Sequence, residues 1–210
     1  MLNINNIRVE NIRKILLNHF HNATSELQFN NNFELLVSVV LSAQCTDKRV
    51  NIITPNLFKV FPNPEIMAKS DLSEIENLIK SCNIYRNKAK YLKKLSQQLL
   101  DNFDGKIPLN AQDLQTLSGV GQKTANVVLI ESSGANLMAV DTHVFRVSHR
   151  LELTDGKTPK AVEKDLSNIF QTDLGYLHQA FVLFGRYFCK AQNPNCSDCI
   201  LKNECHQNYE

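Results

Sequence analysis

The sequence predicts an all-α fold. Apolar residues recur every three or four positions along most of the chain, and the alternation typical of strands never lasts beyond a few residues. Clusters of Gly, Pro, Asn and Asp separate these segments at short intervals. In a chain of 210 residues, this pattern favours one large or two small helical domains with short connections.

The turn residues divide the chain into predicted helices. Phe33–Ala43 is apolar on most faces, which is typical of a buried helix. Breaks are expected at residues 62–64, 104–105, 134 and 155–156, where Pro, Gly and Asp cluster. The segments with helical periodicity are Ile4–Phe20, Phe33–Ala43, Asp47–Phe61, Asp71–Cys82, Lys88–Phe103, Ala111–Leu117, Gln122–Ser132, Asp141–Leu151, Pro159–Phe170 and Leu174–Phe188.

Composition and charge limit the classes of function. The net charge is only +2, so any affinity for nucleic acid must come from local placement of positive groups rather than from a broad basic surface. The N-terminus mixes acidic and basic residues and does not resemble a signal peptide. The longest apolar run, FELLVSVVLSA, is too short to span a bilayer, so we expect a cytoplasmic protein.

Two predicted helices meet at a very short glycine turn. The segment Leu117–Leu129 reads LSGVGQKTANVVL, with Gly119, Val120 and Gly121 forming the connection. Backbone amides at such a turn and at a helix N-terminus form a seat for a phosphate. Lys123 follows in the first helical turn, where the helix dipole disfavours a charged ammonium, so it is a candidate nucleophile. A helix–hairpin–helix that binds DNA without catalysis is the alternative.

Four of the six cysteines lie close together near the C-terminus. Cys189, Cys196, Cys199 and Cys205 follow the spacing C-x6-C-x2-C-x5-C. Disulfides are rare in a reducing cytosol, so the cluster predicts a metal centre. Thiolates suit Zn²⁺ or a [4Fe–4S] cluster equally well. A metal that only staples the C-terminal segment is compatible with either choice.

A candidate acidic group follows the glycine turn. Asp141 lies in the stretch VDTHVFRVSHRL and opens a predicted helix. Aspartate is a common N-cap, so the residue alone favours a structural role. His143, on the same helix, is expected to position that helix rather than to take part in chemistry.

These motifs together resemble the endonuclease III family of DNA glycosylases. The resemblance rests on L-x-G-V-G-x-K-T-A at the turn, V-D-T-H-V-x-R around Asp141, the cysteine spacing, L-S-A-Q-x-T-D at residues 41–47, and SCNIYRNKA. It implies a six-helix domain with the helix–hairpin–helix at residues 24–134. A second, iron–sulfur domain is implied for residues 1–23 and 135–210, with a DNA cleft between the two. The four cysteines are then expected to hold one [4Fe–4S] cluster.

The resemblance also implies catalytic roles for Lys123 and Asp141. Free lysine has a pKa of about 10.4, so Lys123 must lose a proton before it attacks C1′ of a damaged nucleotide. Loss of the base then leaves a Schiff base, from which β-elimination breaks the 3′ phosphate bond. Asp141 is expected to stabilise the oxocarbenium-like sugar and to help move protons.

Two further positions are implied to act on the DNA duplex. Gln44 is expected to fill the space left by an extruded base, with a polar helix C-cap as the structural alternative. Ile84 is expected to be an apolar wedge. Asn83 replaces the family's usual glycine and can adopt a left-handed backbone. The remaining positions expected to contact DNA are Gly119, Val120, Gly121 and Thr124.

The implied function is that of a bifunctional DNA glycosylase and apurinic/apyrimidinic lyase in base excision repair. The expected substrate is double-stranded DNA with oxidised or ring-saturated pyrimidines, and the expected state is a monomer in the cytoplasm, at the nucleoid if the source is bacterial. One alternative is an adenine glycosylase of the same fold, which normally lacks a lysine at the position of Lys123. A non-enzymatic DNA-binding protein is the other, and the co-occurrence of Lys123 and Asp141 argues against it.

Overall fold

The all-α prediction is confirmed by the computed structural model, which describes residues 6–21 and 23–206. Within these ranges all regular structure is helical. Residues 4 and 5, at the start of the first predicted helix, lie outside the described residues. The elements are α1 (Asn6–His19), α2 (Asn32–Ser42), α3 (Asp47–Val60), α4 (Pro64–Lys69), α5 (Leu72–Ile79), α6 (Tyr85–Phe103), α7 (Ala111–Leu114), α8 (Gln122–Ser133), α9 (Thr142–Arg150), α10 (Pro159–Phe170), α11 (Leu174–Tyr187) and a 3₁₀ helix (Lys202–Glu204).

The chain forms two compact units. One is Ser25–Ser133 and contains α2 to α8. The other combines Met1–Thr24 with Gly134–Glu210 and contains α1, α9 to α11 and the 3₁₀ helix. None of the described helices is both long enough and apolar enough to cross a membrane.

In the unit Ser25–Ser133, α6 is the organising helix. It packs against α4, α5 and α2. Leu92, Leu95 and Leu99 recur along its inner face at helical spacing and are fully buried. The predicted buried helix is also found, since every residue of α2 from Phe33 to Leu41 is buried. Burial on all faces explains why α2 shows no amphipathic pattern in the sequence.

In the other unit, α9 packs against α11, and α1 packs against α11 and the 3₁₀ helix. Arg8 of α1 joins two distant parts of this unit. Its Nη2 donates to the Leu151 carbonyl at 2.7 Å, and its Nε donates to the Glu204 carbonyl at 2.8 Å. Helix α1 therefore holds the part of the cysteine segment that lies just before Cys205.

Several helix boundaries differ from the prediction; α5, for example, ends at Ile79 rather than at Cys82. Residues 62–64 were expected to be a break, but Pro64 is the first residue of α4 and the Asn63 side chain caps it, accepting from the Ile66 amide at 3.0 Å. Proline is favoured at the first helical position because its missing N–H has no partner there anyway. Helix α6 begins at Tyr85 rather than at Lys88, with Ile84 as its N-cap.

Candidate functional site: a hairpin, two loops and a cysteine cavity

The connection between α7 and α8 forms the predicted hairpin. Helix α7 ends at Leu114, and turns replace the expected continuation to Leu117. Gly119 has a φ of +81°, which only glycine adopts easily. A Cβ at this position would lie 2.9 Å from the Cβ and Cγ of Tyr91 in α6. Backbone conformation and close packing therefore both require glycine at position 119.

The hairpin is also braced from α6 by one glutamine. Gln98 Nε2 donates to the Thr116 carbonyl at 2.9 Å. Its Oε1 accepts from the Ser118 amide at 2.8 Å. The chain thus fixes the approach to the turn through both ends of a single amide side chain.

The second glycine of the turn is in a different environment. Gly121 is exposed, its φ is not positive, and nothing lies within 4 Å of where its Cβ would be. Val120, by contrast, has a buried side chain and uses its amide inside the turn, donating to the Leu117 carbonyl at 3.1 Å. Any contribution of Val120 to DNA binding is therefore made through the shape of the turn rather than through its amide or side chain.

Lys123 and Thr124 lie in the first turn of α8, immediately after the hairpin, and both side chains are half-buried. The first amides of a helix have no acceptor in a preceding turn and carry the positive end of the helix dipole. The lysine amine is thus attached to a short, braced segment whose amides favour an anion.

Gln44 and Ile84 lie on two loops that contact each other. Gln44 follows α2 with a φ of +56°, and Ile84 precedes α6 with a φ of +50°. The Asn83 side chain donates from Nδ2 to the Gln44 carbonyl at 2.8 Å and links the loops. Both Gln44 and Ile84 are exposed, and 51% of Ile84 is accessible to solvent. The C-cap of α2 is Ala43, and Gln44 is the residue that directly follows this cap.

The sequence led us to expect a left-handed backbone at Asn83. The left-handed residue of the second loop is instead Ile84. A left-handed backbone is costly for a β-branched side chain. Such strain persists only where surrounding contacts enforce it, and it is frequent at functional sites. The asparagine that replaces the usual glycine serves instead as the hydrogen-bond donor between the loops.

A buried lysine supports the same pair of loops, and no sequence signal distinguished it from its neighbours. Lys88 is 1% exposed, and its Nζ donates to the Leu41 carbonyl at 2.8 Å. It therefore ties the first turn of α6 to the last turn of α2. A lysine on an amphipathic helix usually faces solvent, which is why its role could not be predicted.

Asp141 lies in the other unit and caps α9. Its Oδ1 accepts from the amides of His143 and Val144, both at 2.8 Å. The second oxygen, Oδ2, accepts no hydrogen bond from the described residues. The predicted N-cap is therefore present, and one oxygen of the half-buried carboxylate is left for another role.

Helix α9 also holds the start of the cysteine segment through two arginines. Arg146 Nη2 donates to the Gly185 carbonyl at 2.7 Å, and both its Nε and its Nη2 contact the Cys189 carbonyl. Arg150 Nη1 donates to the Lys190 carbonyl at 2.6 Å and lies 3.4 Å from the Cys189 sulfur. The arginine of V-D-T-H-V-x-R thus connects the helix of Asp141 to the cysteines, a role that sequence reasoning missed.

Burial shifts the protonation equilibrium of His143. It lowers the pKa of His143, and the positive charges of Arg146 and Arg186 lower this pKa further, although Asp141 opposes them. His143 is packed closely, since a Cβ on Gly185 would lie 2.9 Å from the His143 Cβ. Neutral, packed His143 fits the positioning role expected from the sequence.

The four clustered cysteines line one cavity. Its wall is almost entirely nonpolar and includes Leu151, Phe184 and Phe188. Burial raises the pKa of the Cys199 thiol, and the other three cysteines raise it further. Ionised thiols gathered there would repel one another, so the donor set suits a cationic metal centre. Cys189, Cys196, Cys199 and Cys205 are all half-buried.

No three Cys, His, Asp or Glu side chains among the described residues converge closely enough to hold a single metal ion. A tetrahedral Zn²⁺ with bonds of about 2.3 Å would need thiolates about 3.8 Å apart. The cysteines therefore surround a common space without meeting at one point.

Comparison with known proteins identifies the family. Residues 37–172 match the model of the HhH-GPD superfamily of base excision DNA repair proteins. Endonuclease III of Bacillus subtilis (strain 168) is 44% identical over 190 residues, which cover 90% of this chain and 87% of that protein. The chain belongs to the endonuclease III family.

A second bacterial relative and a solved structure also match the chain. Endonuclease III of Rickettsia conorii is 41% identical over 94% of both chains. A solved endonuclease III, trapped as a covalent intermediate with DNA, aligns with a TM-score of 0.93 at 40% identity, covering 97% of this chain and 96% of that one. Because it belongs to this family, the chain is a DNA glycosylase/lyase of base excision repair, which is the activity that its motifs predicted.

Proposed function

We propose that the chain removes oxidised or ring-saturated pyrimidines from double-stranded DNA and then cleaves 3′ to the abasic site through a Schiff base on Lys123. The observation that carries this proposal is the position of Lys123 in the first turn of α8, directly after a hairpin braced by Gln98 and Tyr91. A trapped covalent intermediate between DNA and a relative 40% identical to this chain supports a mechanism with a protein nucleophile.

The chemistry requires a neutral Lys123 amine. Its nitrogen attacks C1′ as the damaged base departs with the bonding electrons, and opening of the sugar gives the Schiff base. Removal of a proton from C2′ then expels the 3′ phosphate, and water releases the lysine. A glycosylase that used water as its nucleophile would remove the base and leave the DNA strand intact.

Asp141 supplies negative charge to this reaction. Because Oδ1 is engaged by two amides, the carboxylate is held in a fixed orientation. We propose that Oδ2 stabilises the positive charge that develops on the sugar and assists the proton transfers. The cap and the catalytic role then use different oxygens of the same side chain.

The loops of Gln44 and Ile84 act on the duplex. Extrusion of a nucleotide costs a few kcal/mol in lost stacking and pairing. An amide can bond the widowed base, and an apolar wedge can replace a stacked neighbour. Their strained, exposed conformations and the Asn83 link support this assignment. Gly119, Gly121 and Thr124 form the phosphate-binding turn, with Val120 as its buried anchor.

The four cysteines are proposed to hold one [4Fe–4S] cluster. A cluster takes one thiolate at each of its irons, so its ligands surround a volume rather than one ion. The C-x6-C-x2-C-x5-C spacing and the nonpolar cavity that all four cysteines line support this assignment. When bound, the cluster supplies cross-linking of the segment and compensating positive charge, while Arg146 and Arg150 hold the segment's first residues. We further propose that the enzyme acts as a monomer on cytoplasmic, nucleoid DNA.

The test is covalent trapping. Borohydride should reduce the Schiff base and leave the protein attached to an oligonucleotide carrying thymine glycol, and Lys123→Ala should abolish the adduct. Lys90→Ala, which removes an exposed lysine of α6, is the matched control and should trap normally. An adduct formed by Lys123→Ala at the wild-type rate would refute the assignment.

Asp141→Asn separates charge from capping in the same assay. Asparagine caps a helix about as well as aspartate, so the fold and DNA affinity should be retained. The single-turnover rate should fall by roughly two orders of magnitude, the usual contribution of a positioned charge or proton carrier. Equal losses of affinity and rate would assign Asp141 a structural role only.

A further inference from the structure

We propose that Cys45 and Cys82 form a reversible disulfide by exchange with a low-molecular-weight disulfide, and that this bond slows DNA opening by locking the loops of Gln44 and Ile84. The effect on DNA opening rests on the function proposed above. The bond itself does not.

The first argument is geometric. The sulfurs of Cys45 and Cys82 lie 3.6 Å apart, the contact distance of two thiols. A disulfide has an S–S distance of about 2.05 Å, so the sulfurs need to approach by only about 1.5 Å. The four clustered cysteines take no part in this pair, because they belong to the other unit.

The two backbones are already held near each other. The Cys45 amide donates to the Ser42 carbonyl at 3.0 Å, and the Cys82 amide donates to the Ile79 carbonyl at 2.8 Å. The Asn83 side chain joins the loops directly through the Gln44 carbonyl. Each cysteine is therefore part of a turn rather than of a free segment, and the pairing is local.

The two thiols differ in access, which assigns their roles. Cys45 is half-buried and can meet a small oxidant, whereas Cys82 is only 3% exposed. Burial, with the adjacent Cys45, raises the pKa of Cys82 to about 12, although Lys88 and Arg49 oppose the shift. Thiolates rather than thiols attack disulfides, so Cys45 reacts first and Cys82 resolves the product.

The exchange balances with glutathione disulfide as the oxidant. The Cys45 thiolate attacks one sulfur, forming a mixed disulfide and releasing one glutathione thiolate. Cys82 then loses its proton and attacks the Cys45 sulfur as a thiolate, the second glutathione departs and takes up a proton, and the protein disulfide forms. Two protein thiols are oxidised and one glutathione disulfide is reduced to two glutathiones. A reducing cytosol reverses the reaction, as expected of a redox-sensing disulfide.

The bond would act where the duplex is opened. Gln44 directly precedes Cys45, and Ile84 lies two residues after Cys82. Closing the sulfur gap fixes the separation of these side chains, so they lose the freedom to adjust around an extruded nucleotide. An abasic site, which lacks a base to unpair, should depend less on that adjustment.

The bond is tested on the intact protein equilibrated in glutathione redox buffers. Free thiols are alkylated, and the peptides are analysed by mass spectrometry without reduction. We expect a Cys45–Cys82 cross-link while visible absorbance from the cluster stays constant. Cys82→Ser should accumulate glutathione on Cys45, and Cys45→Ser should leave Cys82 unmodified. A wild-type protein that never forms the cross-link, or in which Cys82 alone reacts, would overturn the proposal.

The consequence is tested by single-turnover kinetics. Oxidation should slow cleavage of a paired lesion by about fivefold and of a preformed abasic site by less than about twofold, and dithiothreitol should restore both rates. Cys45→Ser should respond to neither treatment. Cross-linking with unchanged rates would overturn the regulatory part. Failure of the proposed function would look different, because the reduced wild-type protein would then leave paired lesions uncleaved.

Discussion

The hairpin after α7 and the cysteine segment after α11 achieve order by different means. The hairpin is fixed by its own chain, since Gly119 packs on Tyr91 and Gln98 bonds both sides of its entry. Residues 189–205 contain a single three-residue 3₁₀ helix as regular structure and are held at their first residues by Arg146 and Arg150. The hairpin is therefore organised by packing, whereas we propose that the cysteine segment depends on the cluster that its sulfurs would hold.

The largest expected effect is loss of one cysteine ligand. Cys196→Ser should prevent stable cluster binding and remove the cross-link that orders the segment, because metal-binding energy in such segments is folding energy. We expect a loss of about 3 kcal/mol or more, which lowers Tm by roughly 6–12 °C in a chain of this length. Thermal melts, iron content and limited proteolysis at residues 189–206 measure the change. Cys45→Ser, which lies outside the cluster, is the control, and an equal loss in both variants would contradict the comparison.

The next effect separates the two glycines of the hairpin. Gly119→Ala should cost about 2–3 kcal/mol, since it combines a left-handed backbone with a 2.9 Å contact at Tyr91. Gly121→Ala meets no neighbouring atom and should change stability by less than about 0.5 kcal/mol. Denaturant melts measure both changes.

Gly121→Ala should nevertheless weaken DNA binding, because a methyl group would stand where the phosphate approaches. Fluorescence anisotropy with an abasic-site analogue provides the measurement. Unchanged DNA affinity in Gly121→Ala would remove Gly121 from the phosphate seat and leave it as an ordinary linker.

The smallest effect concerns the glutamine brace. Gln98→Ala removes two hydrogen bonds to the hairpin and should cost about 1 kcal/mol, with a matching fall in DNA affinity. Gln97→Ala is the matched control, because Gln97 is exposed and its side chain donates to Asp101 on its own helix. If both variants behave alike in melts and in anisotropy, the hairpin does not depend on α6 for its order.

Periodicity and spacing predicted most of the helices because burial imposes a repeat on the sequence. Periodicity predicted both ends of α10. In the structure, Thr158 caps this helix and Pro159 occupies its first position. The short helix α4 was missed because the same cap-and-proline pair at Asn63 and Pro64 was interpreted as a break. A segment of six residues is too short for its periodicity to distinguish a helix from a break.

The candidate site was predictable where chemistry fixes a spacing and unpredictable where tertiary contacts assign the role. Cysteine spacing indicated a common cavity because thiolates must surround one centre. The roles of Lys88, Arg146 and Gln98 depend on carbonyls distant in sequence, so no local pattern reveals them. The left-handed backbone of Ile84 likewise contradicts the preference of β-branched residues, so no local pattern predicts it.

Helix α6 gives this unit a mechanical property. It carries Ile84 at its N-cap, Tyr91 against the hairpin glycine and Gln98 at the hairpin entry. Nineteen residues form a rod of about 28 Å, and a rod transmits a tilt from one end to the other. On the roles proposed for Ile84 and the hairpin, α6 would pass force from the wedge to the phosphate contact, so that opening of the duplex and binding of its backbone would be mechanically coupled.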